Sequence, residues 1–159
     1  AVLEDLWERD AGLNGGISYL GVDLSQTSLS AGEAAAVAWA FSEGRDAQLV
    51  QGTYEELVKQ GYITGEPLEE SDAVFWEWKD GILFSITETD EPVTFNLPAM
   101  GVDDGGSADM SQFNVSDTVS FDAQKWRSGL GAYIFSGCTA VRNNAGHWGG
   151  YTVGSEMIS

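Results

Sequence analysis

Two tryptophans flank a glutamate at Trp76-Glu77-Trp78, within the stretch DAVFWEWKDGILFSIT at residues 72–87. Exposed aromatic rings on a strand form a flat surface on which a glycan or a peptide can bind. A glutamate in an apolar setting favours its protonated form, which a general acid in glycoside hydrolysis needs. Trp76 and Trp78 are therefore candidate binding residues, and Glu77 is the candidate acid of an enzyme. The structural alternative is that the rings pack in a core and Glu77 pairs with Lys79.

Cys138 and His147 are the only cysteine and the only histidine, so they are the one pair that could form a thiol nucleophile and its base. If a loop at 143–146 joins two strands, Arg142 pairs with His147 and Cys138 pairs with Tyr151. The thiol and the imidazole then lie about 13 Å apart, whereas a base must lie within about 3 Å. We therefore predict a buried Cys138 without a catalytic partner.

Three aspartates, Asp103, Asp104 and Asp109, could offer oxygen ligands to calcium. Their spacing lacks the alternating carboxylates of an EF-hand loop, so we predict a flexible loop rich in Gly and Asp at about 98–117 and no metal site. The sequence contains no phosphate-binding glycine loop, no GxSxG and no HExxH motif. It therefore predicts no cofactor and no assembled catalytic group.

The charge is strongly negative, with 25 Asp and Glu against 7 Lys and Arg and a net charge of -18. Such a surface repels phosphate backbones, so nucleic acid is excluded as an expected partner, while a protein or glycan ligand stays open. No apolar run approaches the ~18 residues of a membrane span. The 43% of hydrophobic and 11% of aromatic residues are typical of one globular domain over residues 1–159.

Three helices are predicted in the first part of the chain. Apolar residues at helical spacing in VLEDLWERD indicate a short amphipathic helix, and ISYLGVDL at residues 17–24 indicates a strand. Ser30 with Glu33 forms a capping box that predicts a helix over about 31–43. Thr53 with Glu56 predicts a second, shorter helix that ends at the next glycine.

The opening stretch predicts a β-hairpin, because Asp80-Gly81 is a strong signal for a two-residue type I′ turn. Lys79 then faces Ile82 across the ladder, and the period of two separates the side chains into two faces. The expected core face carries Phe75, Glu77, Lys79, Ile82, Phe84 and Ile86, and the second face carries Val74, Trp76, Trp78, Leu83, Ser85 and Thr87.

The remaining segments predict strands at 92–97 and 118–121, a short helical turn over 122–127, and a second hairpin around 143–146. The fold class is therefore α+β, with helices packed on one side of a mostly antiparallel, curved sheet. This element order is similar to that of NTF2-like and cystatin-like architectures, an analogy that implies no function.

Aromatic surface residues without a catalytic group favour a non-enzymatic binding or interaction domain of a bacterial protein. The alternatives are a small hydrolase that uses carboxylates, and a scaffold domain of a larger surface protein. Few lysines, many Gly and Ser residues, and a chain that begins Ala1-Val2-Leu3 favour an extracytoplasmic location.

Overall fold

A computed structural model describes residues 1–89, 118–142 and 148–158. Within these ranges the chain forms three α-helices, one 3-10 helix and nine strands that belong to one sheet. In chain order the elements are α1 (Val2–Glu8), the 3-10 helix (Ala11–Asn14), β1 (Tyr19–Gln26), α2 (Ala31–Ser42), β2 (Gln48–Gln51), α3 (Tyr54–Lys59), β3 (Thr64–Pro67), β4 (Val74–Glu77), β5 (Gly81–Thr89), β6 (Thr118–Ser128), β7 (Gly131–Arg142), β8 (Trp148–Thr152) and β9 (Ser155–Ile158).

The helices begin where the sequence predicts. The Ser30 hydroxyl accepts a hydrogen bond from the Glu33 N–H at 3.2 Å, and the Glu33 carboxylate accepts one from the Ser30 N–H at 3.0 Å. The Thr53 hydroxyl accepts a hydrogen bond from the Glu56 N–H at 3.2 Å. These caps satisfy N–H groups that have no partner within the helix, which confirms both helix starts.

The sheet is mixed but mostly antiparallel, and the predicted α+β class is confirmed. Its centre has the order β2-β1-β5-β6, in which β1 runs parallel to both β2 and β5. The other pairings, of β6 with β5 and β7, of β7 with β8 and β9, and of β4 with β3 and β6, are antiparallel. The parallel part contains two crossover connections, from β1 through α2 to β2, and from β2 through α3 and the β3–β4 pair to β5. The sequence does not predict these crossovers.

Helices lie on both faces of the sheet, which corrects the expected packing on one side. α1 and α2 pack on a core that includes Ile82 and Phe84 of β5. α3 belongs to a second cluster, in which Leu57 packs with Leu83 and Trp78. Neighbouring residues of a strand point to opposite faces, so the two clusters lie on opposite sides of β5. The predicted curvature of the sheet stays a prediction.

Connection handedness explains this arrangement. Crossovers between parallel strands are right-handed in nearly all proteins. The chain steps from β1 to β2 in one direction through α2, and then returns past β1 to β5 through α3. Two right-handed crossovers in opposite directions place their helices on opposite faces.

The hairpin predicted around Asp80-Gly81 is wrong. β4 and β5 both run antiparallel to β6, with Glu77 opposite Ser128 and Leu83 opposite Trp126, so the chain does not reverse between them. Asp80-Gly81 instead lies in a break between two strand segments that follow the same edge of β6. The predicted pairing of Lys79 with Ile82 therefore does not form. The predicted separation of Ile82 and Phe84 from Trp78 and Leu83 does hold, because the two pairs belong to different core clusters.

The physical reason for this error lies in the partners that β5 finds elsewhere. β5 is central, with β1 on one edge and β6 on the other, and Ile82 and Phe84 are fully buried. The Asp80 carbonyl in the break accepts hydrogen bonds from the N–H groups of Ser18 and Tyr19 at 2.7 and 3.0 Å. A two-stranded hairpin would offer one edge and less burial, so the local turn signal loses to the longer-range pairing.

The helical turn predicted over 122–127 is also wrong, because these residues belong to the long strand β6. Phe121, Ala123 and Lys125 alternate toward a buried face, a period of two that excludes a helix. The predicted hairpin of the C-terminal part is confirmed as the antiparallel pair β7–β8. Its register differs, since Tyr151 pairs with Ala140 and not with Cys138.

Several predictions concern residues outside the described ranges. These are the strand at 92–97, the loop at 98–117 with Asp103, Asp104 and Asp109, and the position of His147. Cys138 is described and is fully buried, as predicted. Burial raises the pKa of its thiol to about 11, so the reactive thiolate is disfavoured at neutral pH.

Candidate functional site

A crevice of about 410 Å³ opens at the carboxyl ends of the parallel strands β1 and β2. The starts of α2 and α3 form its walls. β1 leads to α2 on one face of the sheet and β2 leads to α3 on the other, so the crevice opens between the starts of the two helices. Its lining comprises Val22, Asp23, Leu24, Ser25, Leu29, Ala31, Ala34, Gln51, Gly52, Thr53 and Glu56.

β1 contributes Asp23 to the crevice through a β-bulge. Asp23 lies opposite Ser85 and Gln26 lies opposite Thr87, so β1 has one residue more than β5 over this interval. The Asp23 carboxylate accepts hydrogen bonds from the Ser25 N–H at 2.9 Å and from the Ser25 hydroxyl at 2.6 Å. These bonds fix the carboxylate three residues before the end of β1, after which the chain turns toward α2.

β2 and α3 contribute Glu56. A Cβ atom at Gly52 would lie 3.2 Å from Glu56 Oε2, so the carboxylate lies directly beside the backbone of Gly52. Glu56 occupies the first turn of α3, and only two residues separate the end of β2 from the start of this helix. The short connection therefore holds Gln51, Thr53 and Glu56 at the same crevice as Asp23.

The electrostatics of the crevice favour a positive ligand. Helix N-termini usually attract anions, but here the first turns already carry acidic residues, Glu33 in α2 and Glu55 and Glu56 in α3. The side-chain caps also occupy N–H groups that an anion would need. The described lining includes two carboxylates, Asp23 and Glu56, and neither lysine nor arginine. This crevice can therefore bind an ammonium or guanidinium group through charge-assisted hydrogen bonds.

The structure separates the two tryptophans of the sequence analysis. Trp78 is fully buried, and its ring packs with Tyr19 and Tyr62 at centroid distances of 6.3 and 5.8 Å. Trp76 lies on β4 and exposes 37% of its surface. Only Trp76 of this pair is thus presented at the surface in this conformation. Glu77 lies half-buried on β4 and does not line the crevice.

Lys125 forms a second polar centre that the sequence did not indicate. Its side chain is fully buried on β6, and its ammonium lies against the end of α1. Nζ donates hydrogen bonds to the carbonyls of Arg9 and Asp10 and to Asn14 Oδ1, the latter two at 3.2 and 3.1 Å. Burial lowers the pKa of Lys125 to about 8, although the negative charge of the nearby Asp10 acts to raise it. This contact joins β6 to α1 and exposes no reactive atom.

Sequence reasoning missed Asp23 and Glu56, although both carry a local signal. Asp23 lies within the strand predicted at 17–24, and Glu56 lies three residues after Thr53, whose hydroxyl caps the helix. Recognition of the site needed the parallel pairing of β1 with β2, and β2 is only four residues long. Without β2, the sequence does not indicate that the starts of α2 and α3 lie close together.

No family model, curated protein or solved structure shows significant similarity to this chain. In the part of the chain that the structure describes, no helix combines the length and the apolar character needed to cross a membrane. The same residues contain no group of three or more His, Cys, Asp and Glu side chains placed to hold a metal ion.

Proposed function

We propose that this protein is a ligand-binding domain that takes a small amine-bearing cation in the crevice at the ends of β1 and β2. The observation that carries the proposal is the position of Asp23 and Glu56 in one crevice, where the connections of two parallel strands leave to opposite faces. The volume of about 410 Å³ lies within the range of small-molecule sites.

The lining supports a ligand with a charged end and an apolar body. Asp23, Ser25 and Glu56 supply hydrogen-bond acceptors for an ammonium group, while Leu24, Leu29 and the start of α2 supply apolar contact. An anionic ligand such as a nucleotide would meet two carboxylates and a net chain charge of -18. Electrostatic attraction of cations by the whole chain also increases the rate of encounter.

The proposed function is again that of a binding domain, but the proposed site is the crevice and not the pair of tryptophans. An extracytoplasmic, bacterial location stays a prediction from composition. The hydrolase and scaffold alternatives stay predictions too, and Glu77, the acid of the hydrolase alternative, lies outside the crevice.

Isothermal titration with 1,4-diaminobutane, spermidine and arginine tests the proposal, with ATP and glucose as the anionic and neutral comparison ligands. We expect saturable binding of at least one amine and none of ATP. Asp23→Asn keeps an oxygen that can accept the Ser25 hydrogen bonds but removes the charge, and Glu56→Gln does the same at α3. Each should weaken amine binding by about tenfold or more.

Asp72→Asn is the matched control, since it removes one negative charge from the exposed turn between β3 and β4. It should leave amine affinity within about twofold, because exposed charges farther away than a Debye length are screened. Equal losses in all three variants would mean that net charge alone attracts the amines. That result, or binding of ATP or of calcium in place of every amine, would contradict the proposal.

A further inference from the structure

The hairpin of β3 and β4, called the arm (residues 64–77), presents an apolar strip. Val74 and Trp76 lie on one face of the arm and expose 44% and 37% of their surface. Pro67 pairs with Val74, and Gly65 pairs with Trp76, so all four positions share that face. An exposed strip of this kind is typical of an interaction surface.

Gly65 fixes the position of the strip on the arm. A Cβ atom at Gly65 would lie 2.7 Å from Val74 Cγ1 and 3.0 Å from Trp76 Cε3, so both side chains lie directly over the β3 backbone. The Trp76 carbonyl accepts a hydrogen bond from the Gly129 N–H at 3.3 Å, which joins the arm to the turn between β6 and β7. A surface ordered in advance loses little entropy when a partner binds.

Negative charge surrounds the strip. The turn between the two strands exposes Glu69, Glu70 and Asp72, and Glu66 of β3 is also exposed. Lys79 Nζ donates a hydrogen bond to Glu66 at 3.2 Å and balances one of these four carboxylates. The arm therefore complements a partner that combines apolar and basic side chains.

The outer edge of β3 is available for strand pairing. Within the described residues β3 pairs with β4 alone, so its other edge offers backbone groups to an extended segment. The Leu68 N–H bonds to the Ala73 carbonyl, so by the alternation of an antiparallel ladder the backbone groups of Gly65 and Pro67 face outward. Pro67 has no N–H group, so the outward donor on this strand is the Gly65 N–H. A segment added there would place alternate side chains over the strip, and would bring its basic side chains close to the acidic turn.

We propose that the arm binds an extended, basic segment of another polypeptide, which pairs with β3, packs an apolar side chain on Trp76 and places lysine or arginine beside Glu69 and Glu70. This interaction is independent of amine binding in the crevice.

Fluorescence anisotropy with a fluorescein-labelled heptapeptide of alternating lysine and leucine tests the proposal. Two comparison peptides replace the leucines by serine or the lysines by glutamate. We expect the lysine/leucine peptide to bind about tenfold or more tightly than either, because the site requires both chemistries. Equal binding of the lysine/serine peptide would overturn the proposal, since charge alone would then account for the interaction.

Variants locate the peptide on the arm. Trp76→Ala and Val74→Lys should each reduce affinity about tenfold or more, and thermal melts confirm that each variant is folded. Trp39→Ala is the matched control, because Trp39 is exposed by 63% on α2 and lies on another element. Unchanged affinity in both arm variants, or an equal loss in Trp39→Ala, would overturn the proposal.

Charge variants separate the acidic turn from the net charge. Glu69→Gln with Glu70→Gln should weaken binding several-fold and reduce its salt dependence, whereas Glu43→Gln with Asp46→Asn removes the same charge after α2 and should have little effect. A loss of peptide affinity in Asp23→Asn would assign the peptide to the crevice and contradict the arm. Binding of a neutral oligosaccharide that depends on Trp76, with no binding of the peptide, would also contradict the proposal that the arm binds a basic segment.

Discussion

Replacement of Lys125 by methionine removes a buried ammonium that joins β6 to the end of α1. The ammonium can donate three hydrogen bonds at once, and its acceptors are the carbonyls of Trp7, Arg9 and Asp10 and the side-chain oxygen of Asn14. Each lost hydrogen bond costs about 1 kcal/mol, or about 3 kcal/mol together. Methionine has a similar length and fills the same apolar space along the strand.

The charge of Lys125 opposes these hydrogen bonds. Its pKa is about 8 in the folded protein against 10.5 for an ordinary lysine, so the folded state disfavours the charged form. That difference corresponds to about 3 kcal/mol. At pH 7 the loss of these hydrogen bonds and the relief of the charge penalty have opposite effects on the stability of Lys125→Met.

The pH dependence gives the sharper result. Between pH 8 and pH 10.5 the unfolded chain holds a proton on Lys125 that the folded chain has released, so the free energy of unfolding rises with pH through this group. The stabilisation of the folded state by release of the Lys125 proton is complete above pH 10.5 and is lost as the pH falls through 8. The wild type should therefore gain about 2 to 3 kcal/mol relative to Lys125→Met between pH 7 and pH 10.

Urea unfolding followed by tryptophan fluorescence measures this difference at pH 7, 8, 9 and 10. The pKa of Cys138 is raised to about 11, so this thiol destabilises the folded state as the pH rises above 9. Cys138 is present in both proteins, so its effect cancels in the difference between them. Lys79→Met is the control, because it makes the same substitution at an exposed lysine. A difference for Lys125→Met that is constant with pH, or that shrinks as the pH rises, would show that burial does not lower the pKa of Lys125 in the folded protein.

Three further predictions concern stability and are measured by urea or thermal unfolding. Trp78→Ala should cost about 3 to 5 kcal/mol because Trp78 is fully buried, whereas Trp76→Ala should cost about 1 kcal/mol, and equal costs would contradict the assigned burial. Gly81→Ala should destabilise by about 1 to 3 kcal/mol, since its Cβ would lie 2.1 Å from Trp78 Cε2, whereas Gly32→Ala meets no atom within 4 Å and should stabilise α2 by about 0.5 kcal/mol. Ser30→Ala should cost about 1 kcal/mol through loss of the cap, and an unchanged melting temperature would exclude that role.

Features with short-range causes were predictable from the sequence. The start of α2 depends on Ser30 and Glu33, which are three residues apart and bond to each other's backbone. Leu3 and Leu6 are among the apolar residues at helical spacing in VLEDLWERD, and both are buried. In each case the residues that decide the structure lie within one or two turns of each other, so a local pattern contains the necessary information.

The segment around Asp80-Gly81 shows where local reasoning fails. The turn signal there is strong, but Gly81 is needed for a different reason, because the ring of Trp78 occupies the space of its side chain. Gly21 of β1 leaves space for the same ring, since its Cβ would lie 2.7 Å from Trp78 Cζ3. A glycine that accommodates a distant ring cannot be distinguished in sequence from a glycine that forms a turn.

The crevice combines a predictable and an unpredictable part. Local sequence patterns indicate the strand and the helix start that carry its carboxylates, but the contact between these elements depends on a long-range strand pairing. Asp23 lies on a predicted strand and Glu56 at a predicted helix start, but they share a site only because β1 pairs in parallel with β2. Once that pairing is given, the right-handed crossover places α2 on one face, and the return to β5 places α3 on the other. The starts of these two helices then form the walls of the crevice. One short strand, QLVQ at residues 48–51, was thus the missing step from the sequence to the candidate site.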